Sequence, residues 1–182
     1  STGTQYINTG VNAVGKIQAE ARFMFTDNTG HFVLAGARNG GNGRCYLFGT
    51  GDYSGWVVGY MDTNTNGSDK PVVNRLYEGY CLYNVNSQVL NVNGTAYSAT
   101  NSNKLNVPLP IYLFGYYYDN HRDGIPKAKV YDFQLYKDDA LVRNLIPCYR
   151  KSDNVIGMYD TISDVFYTNV GSGTFLKGAN IN

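Results

Sequence analysis

The stretch from Lys127 to Tyr149, KAKVYDFQLYKDDALVRNLIPCY, decides the fold class of this chain. Its first half alternates large apolar and polar side chains, with Tyr131, Phe133 and Leu135 on one face and Asp132 and Gln134 on the other. Successive side chains of a strand point to opposite faces, so this alternation is typical of a strand with one face on a core. We therefore predict that these three side chains are buried on one side of a sheet.

A second strand follows after a short acidic turn at residues 137–139. The apolar run from Leu141 to Ile146 predicts this strand. Pro147 predicts a strand edge or exit, because proline has no backbone N–H and restricts the residue before it. The two runs and the turn between them predict a β-hairpin.

The rest of the chain carries further strand patterns. The continuous apolar run from His31 to Ala37 predicts a strand covered on both sides. Residues 111–118 predict an apolar and aromatic strand, residues 101–110 a polar, proline-bounded crossover, and residues 119–126 a polar loop. Residues 16–25 alternate most regularly, and we expect Ile17, Ala19, Ala21, Phe23 and Phe25 inward and Lys16, Gln18, Glu20 and Arg22 outward.

Turn signals separate these runs. Asn93-Gly94 predicts a tight hairpin turn, and residues 155–159 and 165–168 predict a final hairpin. No stretch of about 12 residues keeps helical periodicity, whereas short strands recur at spacings of about 8–12 residues. We predict a single all-β domain over residues 1–182, built as an antiparallel β-sandwich.

The closing third of the chain also resembles a known family. Its segments are similar to those of laminin-G-like domains in the concanavalin A-like lectin and glucanase superfamily, of the type found in bacterial and phage surface proteins. The matching segments are VYDFQLY (130–136), LVRNLIPC (141–148), VIGMYD (155–160), FYTN (166–169) and GSGTF (171–175), with YINTG (6–10), residues 16–25, FVLAGARN (32–39) and VNG (92–94) upstream.

The resemblance implies a jelly-roll sandwich of the concanavalin A-like kind and recognition of a cell-surface glycan. It also implies display on a virion or a cell surface, as part of an oligomer or another multivalent array. The cysteines, Cys45, Cys81 and Cys148, are odd in number and lack C-x-x-C spacing. They predict reduced, mostly buried thiols, and hence folding in a bacterial cytoplasm before any release.

Charge and hydropathy exclude other partner classes. The formal net charge is +1 and 16% of residues are charged, so no basic stripe is available for nucleic acid. No apolar run approaches the roughly 18 residues that a membrane-spanning helix needs. We predict neither a nucleic-acid nor a membrane partner.

Catalysis lacks suitable residues in the sequence. Glycoside hydrolysis needs two carboxylates held close together, and the two glutamates, Glu20 and Glu78, are far apart in sequence without an E-x-D-x-x-E motif. Asp160 and Asp164 flank a hairpin tip and are better explained as turn residues. His121 has no evident nucleophile beside it. We predict no enzymatic activity and no cofactor; a glycosidase with atypical carboxylates stays the last-ranked alternative.

A calcium site is also disfavoured. Residues 62–67, DTNTNG, match the first half of a calcium loop, but position 12 of that loop is Val73 instead of a glutamate. We expect a polar hairpin loop at residues 62–70 and no metal, with weak calcium binding as the alternative.

Two loop clusters mix aromatic and polar residues in the way that sugar binding needs, since sugar rings offer C–H faces to aromatic planes and hydroxyls to polar groups. We predict the ligand-binding residues there, with a structural module that contacts neighbouring virion or surface proteins as the alternative function. The first cluster holds Arg38, Asn39, Asn42, Arg44, Tyr53 and Trp56, and the second holds Tyr116, Tyr117, Tyr118, Asp119, Asn120, His121 and Arg122.

Overall fold

A computed structural model gives the fold and describes twelve parts of the chain. In residue 32, in the described residues between 39 and 106 apart from 48 and 49, and in residues 117–118 and 121–123, the description covers the backbone alone. The described parts are residues 1, 3–26, 32–39, 44–52, 55–57, 60–61, 72–73, 78–84, 89–92, 95–98, 105–118 and 121–178.

The described residues form strands and turns and contain no helix, so none of them belongs to a helix that could span a membrane. The strands are β1 (Ile7–Gly15), β2 (Ile17–Phe25), β3 (Phe32–Asn39), β4 (Arg44–Asp52), β5 (Gly55–Val57), β6 (Tyr60–Met61), β7 (Val72–Val73), β8 (Glu78–Asn84), β9 (Val89–Val92), β10 (Thr95–Ser98), β11 (Leu105–Leu113), β12 (Tyr116–Tyr118), β13 (His121–Asp123), β14 (Ala128–Lys137), β15 (Ala140–Arg150), β16 (Val155–Asp160) and β17 (Val165–Tyr167).

These strands build two large antiparallel sheets. The first sheet has the order β1-β11-β3-β4-β5-β7, with β6 also paired to β4. The second has the order β10-β9-β8-β2-β14-β15-β16-β17, and β12 and β13 form a separate hairpin. For the described residues, the prediction of an all-β fold with antiparallel sheets is confirmed.

The two sheets share one apolar core. The ring of Phe48 on the first sheet lies 6.3 Å from the ring of Phe23 and 6.3 Å from that of Phe133, which both belong to the second sheet. All three side chains are fully buried, and their edge-to-face geometry is favourable for aromatic rings. The inner faces of the two sheets therefore pack against each other in a sandwich-like arrangement.

Strand β2 follows its alternating sequence throughout. Its five apolar side chains at odd positions from Ile17 to Phe25 are buried, and the residues between them are not. Strand β3 is buried over five consecutive residues, from Val33 to Ala37. The β12–β13 hairpin lies against β3, and Tyr116 is buried near Val33. Both predictions are confirmed.

Strands β14 and β15 form the hairpin that was predicted within Lys127–Tyr149. Asp138 and Asp139 have φ angles of 50° and 68°, the positive values that a tight two-residue turn of this kind requires. Phe133 and Leu135 are buried as predicted, but Tyr131 is not in the core. The pairing with β2 shifts between Val130 and Asp132, so Tyr131 is the extra residue of a β-bulge and leaves the core face.

Pro147 does not end β15, which continues to Arg150, so the predicted strand edge is found there and the predicted exit is not. Pairing with β14 stops at Leu145, whereas pairing with β16 continues to Arg150. Pro147 therefore has a strand neighbour on one side only, opposite Met158, and its missing N–H is tolerated as on an edge strand.

Three further expectations are corrected between residues 101 and 126. Strand β11 begins at Leu105, so the expected crossover is largely a strand. Its two prolines, Pro108 and Pro110, lie in the bulged part of the pairing with β1. Neither of them belongs to the short pairing with β3, and proline is tolerated at such bulges. The expected strand 111–118 is interrupted by Phe114 and Gly115, whose φ angles are 67° and 118°. The expected loop 119–126 contains β13.

The other hairpins match their predictions. Strands β9 and β10 pair from Val92 and Thr95 outward, as a hairpin requires, and the predicted turn residues Asn93 and Gly94 lie outside the described residues. Strands β16 and β17 form the final hairpin, with Asp160 opposite Val165.

Candidate functional site

A line of polar side chains crosses the outer face of the second sheet. We call it the polar row, and it consists of Glu20 on β2, Gln134 on β14, Asn144 on β15 and Thr161 at the end of β16. Glu20 pairs with Gln134, and Gln134 pairs with Asn144 in the strand register. The Thr161 N–H donates to the Asn144 carbonyl at 3.0 Å. The four side chains therefore lie side by side across three neighbouring strands and a turn.

Hydrogen bonds connect three of the four side chains of the polar row. The Asn144 Nδ2 donates to the Thr161 hydroxyl at 2.8 Å, and the Gln134 Nε2 donates to Asn144 Oδ1 at 3.4 Å. The Tyr136 hydroxyl donates to Gln134 Oε1 at 2.8 Å. Each amide is thus held in one orientation, which reduces the conformational entropy that a ligand would have to remove on binding.

Two irregularities of the pairing lie on either side of these residues. Asn144 follows a second bulge, in which β15 has one more residue than β14 between Arg143 and Leu141. The bulge at Tyr131 lies on the other side of Gln134. Both distort the sheet beside the polar row, as bulges do where a side chain is re-aimed.

Glu20 is the charged member of the polar row. Burial raises the pKa of the Glu20 carboxyl, and the negative charge of Asp132 raises this pKa further. No hydrogen bond or ion pair within the described part of the chain offsets these effects. The carboxylate therefore keeps its acceptor capacity available to a ligand.

Beside Glu20, Arg22 and Asp132 are bound to each other. The Arg22 backbone N–H donates to Asp132 Oδ1 at 3.0 Å, and the Arg22 Nε lies 3.5 Å from Asp132 Oδ2. The Arg22 guanidinium also lies over the Tyr131 ring, 5.2 Å from its centroid. The positive charge of Arg22 is thus compensated by its own neighbour.

Apolar groups flank the polar row. On the β15–β16 side, Ile146 is opposite Tyr159, and both are exposed. The Tyr159 hydroxyl donates a short hydrogen bond to Asp164, and this bond is the main reason that the pKa of Tyr159 is raised. On the other side lies the Tyr136 ring. The combination of fixed amides, a carboxylate and flanking aromatic side chains suits a ligand that has both hydroxyls and C–H faces.

The first predicted cluster is placed only in part. Arg38, which is half-buried, and Asn39 lie at the end of β3, and Asn39 pairs with Arg44 at the start of β4. The register therefore brings these three residues together. Trp56 lies on β5 opposite Gly51 and Val73. Tyr53 and Asn42 lie outside the described residues.

The second predicted cluster forms a hairpin. Tyr118 pairs with His121, and Tyr117 pairs with Arg122. Asp119 and Asn120, between them, lie outside the described residues. Tyr116 is fully buried, so it is a core residue and does not belong to an exposed site.

Residues 62–70, predicted to be a polar hairpin loop with weak calcium binding as the alternative, lie outside the described residues. Within the described part of the chain, no three His, Cys, Asp or Glu side chains come together in a way that could hold a metal ion.

Asp164 is a turn residue, as predicted, whereas Asp160 is the last residue of β16 and accepts hydrogen bonds from the turn that follows it. The Asp160 carboxylate is fully buried and accepts hydrogen bonds from the Asn144 N–H at 2.8 Å and the Ser163 hydroxyl at 2.6 Å. Asp164 has a φ of 60°, which aspartate tolerates in tight turns.

A groove of about 350 Å³ lies near the C-terminal hairpin, between Val155, Ile156 and the segment 168–175. Asn169 in its wall is fully engaged. Its side-chain oxygen accepts from the Tyr6 and Gly171 N–H groups, and its nitrogen donates to the carbonyls of Ser172 and Gly173. This asparagine fastens the C-terminal segment to the N-terminal one and is not available to a ligand.

Cys148 is a free, half-buried thiol. Burial raises its pKa, although a hydrogen bond from the Tyr159 backbone opposes the effect. A thiol with a raised pKa is a poor nucleophile. The side chains of Cys45 and Cys81 are outside the described part.

The sequence analysis placed Glu20, Gln134 and Arg22 on an outer face but did not recognise a site. The missing information was the pairing of β2 with β14, which are more than a hundred residues apart in sequence. The available signal was the run of amide and carboxyl groups at the outward positions of two regular strands.

No family model, curated protein or solved structure matches this chain.

Proposed function

We propose that this chain is a non-catalytic recognition module that binds cell-surface carbohydrate along the polar row. Strands are spaced about 4.8 Å apart, so the polar row extends over roughly 14 Å from β2 to the turn after β16. This length suits an oligosaccharide of a few units lying across the strands.

The observation that carries the proposal is the hydrogen-bonded alignment of Gln134, Asn144 and Thr161 beside Glu20. A solvated sheet face needs polar side chains, but it does not need them to be fixed by one another. Sugar hydroxyls both donate and accept hydrogen bonds, and the polar row offers amide, hydroxyl and carboxylate groups of both types.

The proposal includes the finer fold assignment. A jelly roll of the concanavalin A-like kind is consistent with two antiparallel sheets that share a core, and the resemblance of the closing segments favours it. Fold alone does not give the function, so the binding proposal rests on the side chains.

We also propose that the module acts in several copies, on a virion or a bacterial surface. A shallow, solvent-facing site of this type binds with a Kd of about 1 mM, or roughly −4 kcal/mol. Useful adhesion then requires several linked sites, because avidity multiplies weak affinities.

The test is glycan-array binding of a multimerised form of the domain. We expect wild type to bind a subset of bacterial envelope glycans, and Gln134→Ala and Asn144→Ala each to weaken binding about fivefold, as for the loss of one hydrogen bond of about 1 kcal/mol. Asn12→Ala, which removes an exposed amide from the first sheet, is the matched control and should bind as wild type.

If wild type and all three variants bind a glycan equally well, the glycan site lies outside the polar row. If wild type binds no glycan on the array, the proposal is contradicted. Release of reducing ends from a bound glycan would instead favour the glycosidase alternative, with Glu20 and Asp132 as the carboxylates.

A second candidate function, contact with neighbouring virion or surface proteins, is favoured by another observation. Seven large apolar side chains are exposed in the described residues, and all of them lie between residues 146 and 176. They are Ile146, Tyr149, Tyr159, Ile162, Val165, Val170 and Leu176, the last of which is 72% exposed.

Sedimentation tests this candidate. This candidate is favoured over sugar binding if the wild-type domain self-associates, if Val170→Ser and Leu176→Ser abolish the self-association, and if the wild type binds no glycan. A monomer at all concentrations would count against both this candidate and the multivalent display.

A further inference from the structure

We infer that the polar row selects sugars that carry a free amino group, with the Glu20 carboxylate accepting from the sugar ammonium. The inference rests on the proposed function and adds the chemical class of the ligand to it.

The first argument is that the row contains one ionisable residue. Beyond Glu20, the strand register extends the same line across the sheet to Leu82 on β8, Asn91 on β9 and Ala96 on β10. On the other side it contains Gln134, Asn144 and Thr161. Glu20 is therefore the sole charged position along the whole line, and the line has a charge of −1.

The second argument is that the nearest cation is already engaged. Arg22 is two residues after Glu20 on β2 and lies on the same face of the sheet. Its backbone N–H and its guanidinium both contact Asp132, and the guanidinium also lies over the Tyr131 ring. Asp132 and Arg22 together add no net charge. A ligand placed on the polar row thus meets a negative field from Glu20 with no compensating positive charge from this pair.

The third argument is the state of Glu20 itself. Burial and the charge of Asp132 both raise the pKa of Glu20, which means that the surroundings disfavour its ionised form. The opposite charge of a cation bound next to it would favour the ionised form against both effects and would form a charge-assisted hydrogen bond, which is stronger than a bond between neutral groups. An acidic sugar would add a like charge and be repelled.

The fixed amides complement this preference. Gln134 and Asn144 are oriented by their own hydrogen bonds and can contact the hydroxyls of neighbouring units, whatever group the sugar carries at the amine position. Loss of an amide should therefore weaken the binding of all glycans alike, whereas loss of the Glu20 charge should weaken the binding of the amino sugars most.

The experiment compares each glycan backbone on an array in three matched forms, with a free amine, with an N-acetylated amine and with a carboxylate. For the multimerised wild-type domain at pH 7, we expect about tenfold tighter binding of the free-amine form than of the N-acetylated form, a difference of about 1.4 kcal/mol. The carboxylate form should bind most weakly.

Glu20→Gln keeps the shape and removes the charge. We expect it to lose the preference for the amine, so that it binds the free-amine and N-acetylated forms with about equal strength. Asp153→Asn removes one negative charge from the exposed turn between β15 and β16, and it should keep the full preference. This control separates the local effect of Glu20 from that of net charge.

The outcomes distinguish the inference from the proposed function. Binding of the three forms in equal strength, or an unchanged preference in Glu20→Gln, would overturn the inference and leave carbohydrate binding in place. An equal loss of preference in Asp153→Asn would attribute it to net charge and overturn the inference as well. Silence of the wild type on all forms would overturn the proposed function and the inference with it.

Discussion

Arg143 and Asp160 form an ion pair on the inner side of the second sheet, with the Arg143 Nε 3.6 Å from Asp160 Oδ2. Asp160 is fully buried, and the side chain of Arg143 is 20% exposed. Arg143 also donates from Nε to the Thr9 carbonyl at 2.9 Å, and its guanidinium lies 6.0 Å from the centre of the Tyr167 ring. This pair links the β15–β17 end of the second sheet to β1 of the first.

We expect Asp160→Asn to destabilise the fold by about 3 kcal/mol, because it leaves Arg143 without its counter-charge in a buried place. Urea unfolding followed by fluorescence measures the change. The control is Asp153→Asn, whose partner Arg150 is exposed, and this variant should unfold at the same urea concentration as wild type. Equal stability of Asp160→Asn and wild type would show that the pair has no net effect.

The contribution of Asp160 should depend on pH. Burial alone would raise the pKa of Asp160, but hydrogen bonds from Asn144, Ser163 and Ile162 and the charge of Arg143 outweigh burial and hold this pKa below its usual value. A pKa that is lower in the folded state stabilises the protein above the unfolded pKa, near 3.9, and the stabilisation is lost as the pH falls through the folded value.

Urea unfolding at a series of pH values tests this sign. The stability difference between wild type and Asp160→Asn should be constant above about pH 5 and should shrink as the pH falls below about 4. A difference that grew on acidification would contradict the lowered pKa.

Gly157 on β16 has no room for a side chain. A methyl group there would collide with the Tyr167 carbonyl and would lie 2.8 Å from the Phe166 ring, which the Arg150 guanidinium covers at 5.1 Å. We expect Gly157→Ala to destabilise the β16–β17 hairpin by about 1–3 kcal/mol, as overpacking does.

Thermal unfolding measures the effect of Gly157→Ala. Gly178→Ala is the control, since a methyl group at that position meets nothing within 4 Å. An unchanged melting temperature for both variants would mean that the hairpin can shift without cost.

The turn between β14 and β15 gives a prediction about backbone conformation. Asp139 has a φ of 68°, where glycine is at ease and alanine is strained. Asp139→Gly and Asp139→Ala both remove the exposed ion pair with Lys16, so they differ in this preference alone. We expect the glycine variant to be more stable by about 1 kcal/mol, measured by urea unfolding. The reverse order would contradict the turn geometry.

The sequence by itself determined the strands that alternate regularly and the tight turns between them. Strand β2, the buried run in β3, the pairing of β9 with β10 and the turn between β14 and β15 depend on periodicity and turn chemistry within a few neighbouring residues. Such local preferences can be read without knowing the partners of a strand. They also placed Glu20 and Gln134 on outer faces.

Only the tertiary structure decided which strands are neighbours and in what register. The bulge that moves Tyr131 out of the core depends on the pairing of β14 with β2, and the tolerance of Pro147 depends on where pairing with β14 stops. The polar row arises from the same cause, because Glu20 and Asn144 come together only when β14 lies between their strands. Pairing across more than a hundred residues reflects the packing of the whole core, and no local pattern in the sequence encodes it.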